Sequence, residues 1–215
     1  MLILTNMGFL SRDSRCWSFD ERANGYARGE GVGVVVLKRL CDALEDGDTI
    51  RGVIRATGLN QDGRTNGGIT QPSGDAQKQL IQSTLAKANI DPSTVRYFEA
   101  HGTGTALGDP IESRAIGETF RDFRSDKEPL IVGSVKANIG HLEGGSGVAG
   151  LIKTIMILEK GIIPPVAGLT NINPRIDTRN LRLHMPKEPL LWPTSGLRRA
   201  LVVCTHPVSE LHDAI

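Results

Sequence analysis

The sequence is poor in several things, and each shortage argues against a class of protein. Only three of the 215 residues are cysteine (Cys16, Cys41 and Cys204), and no CxxC pair exists. That argues against a disulfide framework or a zinc cluster and leads one to expect a reducing, cytoplasmic setting. Aromatics make up 4% of the chain, too few for a base-stacking surface. Charge of neither sign dominates: 25 basic and 24 acidic residues leave a net charge of +1. No concentrated basic face for nucleic acid is therefore expected. The most apolar stretch, Val148 to Leu158, contains Lys153 and falls short of the roughly 20 apolar residues that span a bilayer. No membrane association is expected. Met1 to Leu10 has no basic lead-in, so it reads poorly as a signal peptide.

What is present is an ordinary apolar share of 39% and many glycines, 25 in all. The first is enough for a sizeable core; the second points to tight turns and close backbone approaches. Val32 to Leu37 is a near-continuous β-branched run and reads as a strand buried on both faces. Residues 50–59 alternate and read as a second strand, pairing with the first as an antiparallel unit. Asn60 to Gly74 is a long polar, Gly-rich loop of the kind that often carries function. Apolar residues at helical spacing predict an amphipathic helix over 75–88. Val95 to Ala100 reads as a strand. Asp109 is expected to cap a helix running to about Phe123, with Pro110 in its first turn and Glu112 three residues past the cap. Leu130 to Val135 reads as a strand, Lys136 to His141 as a loop, and 147–159 as a helix apolar on nearly every face and hence deeply buried. Pro-punctuated coil follows, then a short strand at Leu201 to Val203.

The pattern strand–His–loop–helix thus occurs twice. It places His101 and His141 just beyond the C-terminal ends of strands, where α/β sheets keep their ligand sites. Two neutral imidazoles aimed at one point can stabilise an enolate or oxyanion, or orient a thiol nucleophile. Lys136 can set their protonation, and Thr103 and Thr105 offer hydroxyls to an amide-bearing substrate arm. Residue types and spacing leave these loops open to different roles. Gly102–Thr103–Gly104 can be a phosphate loop, although no GxGxxG follows a first strand. His101, His141 and Asp109 can be zinc ligands, although no helical HxxxH exists. Both loops can be simple Gly/Thr turns.

The motifs break this tie. Glu99-Ala-His-Gly-Thr-Gly-Thr-Ala-Leu-Gly-Asp-Pro-Ile-Glu112 and Gly133-Ser-Val-Lys-Ala-Asn-Ile-Gly-His141 resemble the two histidine motifs of β-ketoacyl synthases, in particular the ketosynthase domain of type I polyketide synthases. Arg15 to Lys38, Asn60-Gln-Asp-Gly63 and Ile69-Thr-Gln-Pro-Ser73 are similar to further segments of that domain. The resemblance covers roughly residues 1–200 and leaves 201–215 as a divergent tail. It implies a thiolase-like α/β fold, incomplete here: the C-terminal half with part of the N-terminal half. It implies decarboxylative Claisen condensation of an acyl thioester with a malonyl-type extender on an acyl carrier protein, by a homodimer. It assigns His101 and His141 to decarboxylation and oxyanion stabilisation, Lys136 to their support, and Thr103 and Thr105 to the phosphopantetheine arm. That arm belongs to the carrier protein, so no cofactor of this chain is implied. The sequence has no Asp-Thr-Ala-Cys elbow to supply the family's nucleophile and no Phe-Gly-Phe-Gly-Gly loop near its end. Condensation by this chain alone is not expected, and a half-fold is expected to leave 31–37 and 147–159 short of packing partners.

Overall fold

A computed structural model describes residues 2–6, 8–62, 72–205 and 211–214. In chain order the elements are α1 (Leu2–Asn6), α2 (Leu40–Glu45), β1 (Thr57–Asn60), α3 (Gly74–Ala88), β2 (Tyr97–Glu99), α4 (Gly108–Phe120), β3 (Leu130–Gly133), α5 (Lys136–Ile139) and α6 (Ser146–Lys160). Then come β4 (Ile162–Ile163), α7 (Thr178–Leu181), β5 (Leu183–His184), β6 (Leu190–Leu191), β7 (Ala200–Thr205) and β8 (Leu211–Ala214).

Six strands form one sheet in the order β1-β8-β7-β2-β3-β5. Its middle, β7-β2-β3-β5, is parallel, and β8 and β1 add on antiparallel. Side chains on a strand point alternately to the two faces, and the sequence loads both. Phe98, Val132, Leu201 and Val203 pack with Leu80, Ile81 and Leu85 of α3 and Ile116 and Phe120 of α4. Tyr97, Ile131 and Ala200 pack on the other face with Ile157 of α6, Ile163 and Trp192. The result is helix–sheet–helix layering, in which an apolar side chain buried from water contributes about 1.5–3 kcal/mol. β2 sits at the centre of the parallel part, so the residue that follows it, Ala100, is buried and His101 emerges at the sheet's edge.

Several sequence expectations change. Residues 31–39 form no strand, and Val32, Val34, Val36 and Leu37 are 96%, 79%, 94% and 72% exposed. A β-branched run becomes a strand only beside a partner backbone, and among the described residues none lies alongside. The expected second strand shrinks to Thr57–Asn60 and pairs with β8, not with 32–37. Lys136 to Ile139 is a turn of helix, not a loop. Helix α6 is not deeply buried: Ser146, Gly150, Thr154 and Ile157 are, while Met156 is 48% exposed. The row Ser146, Gly150, Thr154 and Ile157 packs inward, and the other large apolar residues are half-buried or exposed. Most of the expected long loop, 63–71, lies outside the described residues, as does His206. The expected boundary at residue 200 falls at the first residue of β7, so the sheet runs across it.

Among the described residues no helix is long and apolar enough to cross a membrane, and none of the three cysteines is in a disulfide.

Candidate active site

Because β2 and β3 are parallel neighbours, the segments that leave them start at the same edge of the sheet. This brings the two histidine rings together: their centroids are 5.3 Å apart and their planes meet at 85°. His141 is 2% exposed, and His101 is half-buried. Lys136, also buried, lies at the start of α5.

His141 is fixed through both backbone and ring. Its N–H donates to the Ala27 carbonyl at 2.7 Å, and its own carbonyl accepts from Gly29 N–H at 3.0 Å. Its Nδ1 accepts the Glu143 N–H at 3.0 Å and faces the Ser146 hydroxyl at 2.8 Å. A ring nitrogen that accepts an amide N–H holds the lone pair, so the neutral ring carries its proton on Nε2. Glu143 reaches this geometry through a left-handed backbone, φ +51°, a conformation that costs a non-glycine residue of order 1 kcal/mol and clusters at functional sites. The Tyr26 hydroxyl donates to its carboxylate at 3.2 Å, and Arg28 lies 3.3 Å away.

The loop carrying His101 is held from below by two carboxylates of α4. Glu112 accepts the N–H groups of His101 at 2.6 Å and Gly102 at 2.9 Å, one on each oxygen. Asp109 accepts from Gly104 N–H at 3.1 Å and from Phe19 N–H at 2.7 Å. Both are buried, and burial pushes both acids up, Asp109 to about 7. Asp109 therefore does not cap α4 as expected. It is turned into the loop, and the Thr105 hydroxyl accepts the Gly108 N–H instead, at 3.1 Å. Above the loop, the Ser18 hydroxyl donates to the Gly102 carbonyl at 2.5 Å. Gly102 itself has φ +47°, and a Cβ there would stand 2.6 Å from that of Ser134. Only glycine fits that approach.

Thr103 and Thr105 follow His101 in the same loop. The Thr103 and Thr105 hydroxyls lie 3.4 Å apart, Thr103 buried and Thr105 half-buried. Burial raises the thiols of Cys16 and Cys204 and the Glu112 acid, and the Lys136 ammonium pulls each of them back. Cys16 is buried with its sulfur at the backbone of Ala27, 3.6 Å from the carbonyl and 3.2 Å from the N–H. It braces the segment that grips His141 and offers no accessible thiol. Cys41 is exposed on α2. The structure therefore brings His101 and His141 together and adds Asp109, Glu112, Glu143 and Ser146 as supports, while Lys136 lies buried at the start of α5 and Thr103 and Thr105 lie in the His101 loop. Sequence reasoning read Asp109 and Glu112 as a capping pair. The signal that could have separated the two roles is a Thr already placed three residues before the helix start.

The two rings meet edge to face, His141 buried and His101 half-buried. Comparison with known proteins gives the family. The family description "Beta-ketoacyl synthase, C-terminal domain" matches residues 51–170, and "Beta-ketoacyl synthase, N-terminal domain" matches residues 1–43. The chain belongs to the β-ketoacyl synthase family. Within it, the chain is 57% identical over 199 residues to highly reducing polyketide synthase 40 of Fusarium mangiferae, covering 93% of this chain and 8% of that protein. Against reducing polyketide synthase pksF of Alternaria solani, identity is 54% over 200 residues, covering 93% and 9%. The fold superposes on the ketosynthase from module 6 of the bacillaene synthase of Bacillus subtilis 168 with a TM-score of 0.93 at 38% identity, covering 99% of this chain and 38% of that one. The chain thus spans about a twelfth of the length of the curated relatives it matches and well under half of a solved ketosynthase. The thiolase-like fold expected from the motifs is the fold found.

Proposed function

We propose that this chain carries the decarboxylating histidine pair of a polyketide-synthase ketosynthase, acting on a malonyl-type thioester presented on an acyl carrier protein. The observation that carries this is the meeting of the His101 and His141 rings, with the His141 proton held on Nε2. The substrate thioester carbonyl would sit between the two rings. Its carboxylate leaves as carbon dioxide, and the electron pair of the broken C–C bond moves into the thioester as an enolate. The ring N–H donors stabilise the oxygen where that charge appears. Lys136, buried at the start of α5, would add positive charge that favours the enolate. Thr103 and Thr105 would meet the phosphopantetheine arm. Without a nucleophilic thiol to hold an acyl group, the enolate takes a proton and leaves as the acyl thioester, and no new carbon–carbon bond forms. The test is mass spectrometry of malonyl-carrier protein after incubation with the chain. Conversion to acetyl-carrier protein, with no acyl adduct on Cys16 or Cys41, is expected; an adduct on either cysteine would contradict the proposal.

A second reading is favoured by the exposed Val32–Leu37 run. It borders an apolar groove of about 620 Å³, lined in part by Val32, Ile139, Leu142, Ile152 and Met156. On this reading the chain is a non-catalytic thiolase-fold fragment that binds a complementary ketosynthase half or an acyl carrier protein. Co-expression with a separate N-terminal ketosynthase half distinguishes the two: a stable one-to-one complex supports the second reading, and two separate species refute it.

A further inference from the structure

The first motif contains a residue that the proposed chemistry leaves unused. Glu99, the last residue of β2, is 1% exposed, and its side chain touches three elements. One oxygen accepts the Val135 N–H at 2.5 Å, one residue before Lys136 and the start of α5. The other accepts the Tyr97 hydroxyl at 2.5 Å and pairs with Lys153 of α6 at 2.7 Å. Burial and the Glu99 charge together hold the Tyr97 phenol well above its ordinary value, so it stays a donor. Two glycines make room for this knot. A Cβ on Gly133 would stand 2.5 Å from the Tyr97 hydroxyl, and one on Gly150 would stand 3.3 Å from Glu99 Cγ.

The position of Glu99 in the chain gives the knot its consequence. It precedes His101 by two residues. Val135 opens the turn that leads through Lys136 to His141, and α6 supplies Ser146 to the His141 ring. One carboxylate thus joins both strand–His–loop–helix units at their roots. We propose that Glu99 is the positioning residue that sets the spacing of His101 and His141, with Lys153 as the ion-pair partner that holds its carboxylate in place. A buried carboxylate is a stiff tie because each broken bond would leave a donor without water to replace it. The inference rests on the histidine pair being the working site, but its geometry is measurable whether or not the chain decarboxylates anything.

The test is the nuclear Overhauser effect between the His101 and His141 ring protons, read in the full chain with labelled histidine. Leu85→Ala serves as a control, since Leu85 is a buried residue of α3, on the face of the sheet opposite Tyr97. The contact is expected in the unaltered chain and in Leu85→Ala. It should be lost in Glu99→Ala, and weakened in Glu99→Gln (which keeps one acceptor) and in Lys153→Met. Should Glu99→Ala not fold, Glu99→Gln and Lys153→Met decide the matter. An undiminished ring contact in folded Glu99 or Lys153 variants, or an equal loss in Leu85→Ala, would overturn the proposal. Absence of decarboxylation with these ring contacts as expected would instead count against the proposed function alone.

Discussion

Glu112→Ala removes the acceptor under the His101 loop, and its cost can be worked from the bonds it breaks. Two backbone N–H groups lose their partner, that of Gly102 buried and that of His101 part-buried. A buried donor left unsatisfied costs about 1–3 kcal/mol, so the pair costs about 2–6 kcal/mol. Against this stands relief from burying a carboxylate, which the upward shift of the Glu112 acid shows to be unfavourable. The net expectation lies at the low end, about 2–3 kcal/mol. For a chain of this size that lowers Tm by about 4–12 °C, read by circular dichroism. Amide exchange gives the local signature: the His101 and Gly102 N–H groups should lose protection while those of β3 keep theirs. An unchanged Tm, or exchange that accelerates equally across the sheet, would refute the reasoning.

Other outcomes follow from the same geometry. Asp109 is raised from 3.8 to about 7 by burial, so the native state binds a proton that the unfolded chain gives up. Stability from this group is full below the unfolded value and is lost as pH rises through about 7; denaturant titrations should show that fall, and Asp109→Asn should flatten it. Gly102→Ala forces a side chain into a left-handed backbone and against Ser134, with an expected loss of about 2–4 kcal/mol in urea unfolding. Val34→Thr with Val36→Thr should change stability by less than about 0.5 kcal/mol, as for other exposed sites; a loss above about 2 kcal/mol would mean the run is packed in solution.

The parts of this structure that local pattern could reach were legible in the sequence. The strands at 97–99 and 130–133, helix α3 and the two strand–His–loop–helix units were visible because their apolar periodicity is satisfied within the chain. So was the meeting of His101 and His141, once two parallel strands ended in histidine loops. The strand expected at 32–37 was not found, because strand formation depends on a neighbour that periodicity does not reveal. The deep burial expected of α6 failed for a related reason: its composition is apolar all round, but only the row Ser146, Gly150, Thr154 and Ile157 is buried. Asp109 was misread because a short acid after a Gly/Thr loop satisfies the capping pattern equally well. Which backbone groups it accepts from depends on Phe19, ninety residues earlier. Glu99 was noticed as part of a motif, but its role lies in contacts with Val135 and Lys153 that no local window contains.

Decarboxylation of a malonyl thioester by the unaltered chain, His101→Ala, His141→Ala and the double variant tests the central claim most directly. Two rings acting on one oxygen work as a unit, so the account predicts carbon dioxide release above the enzyme-free rate by the unaltered chain. Each single variant should lose nearly as much as the double. Release no faster than the blank, or either single variant retaining the full rate, would contradict it.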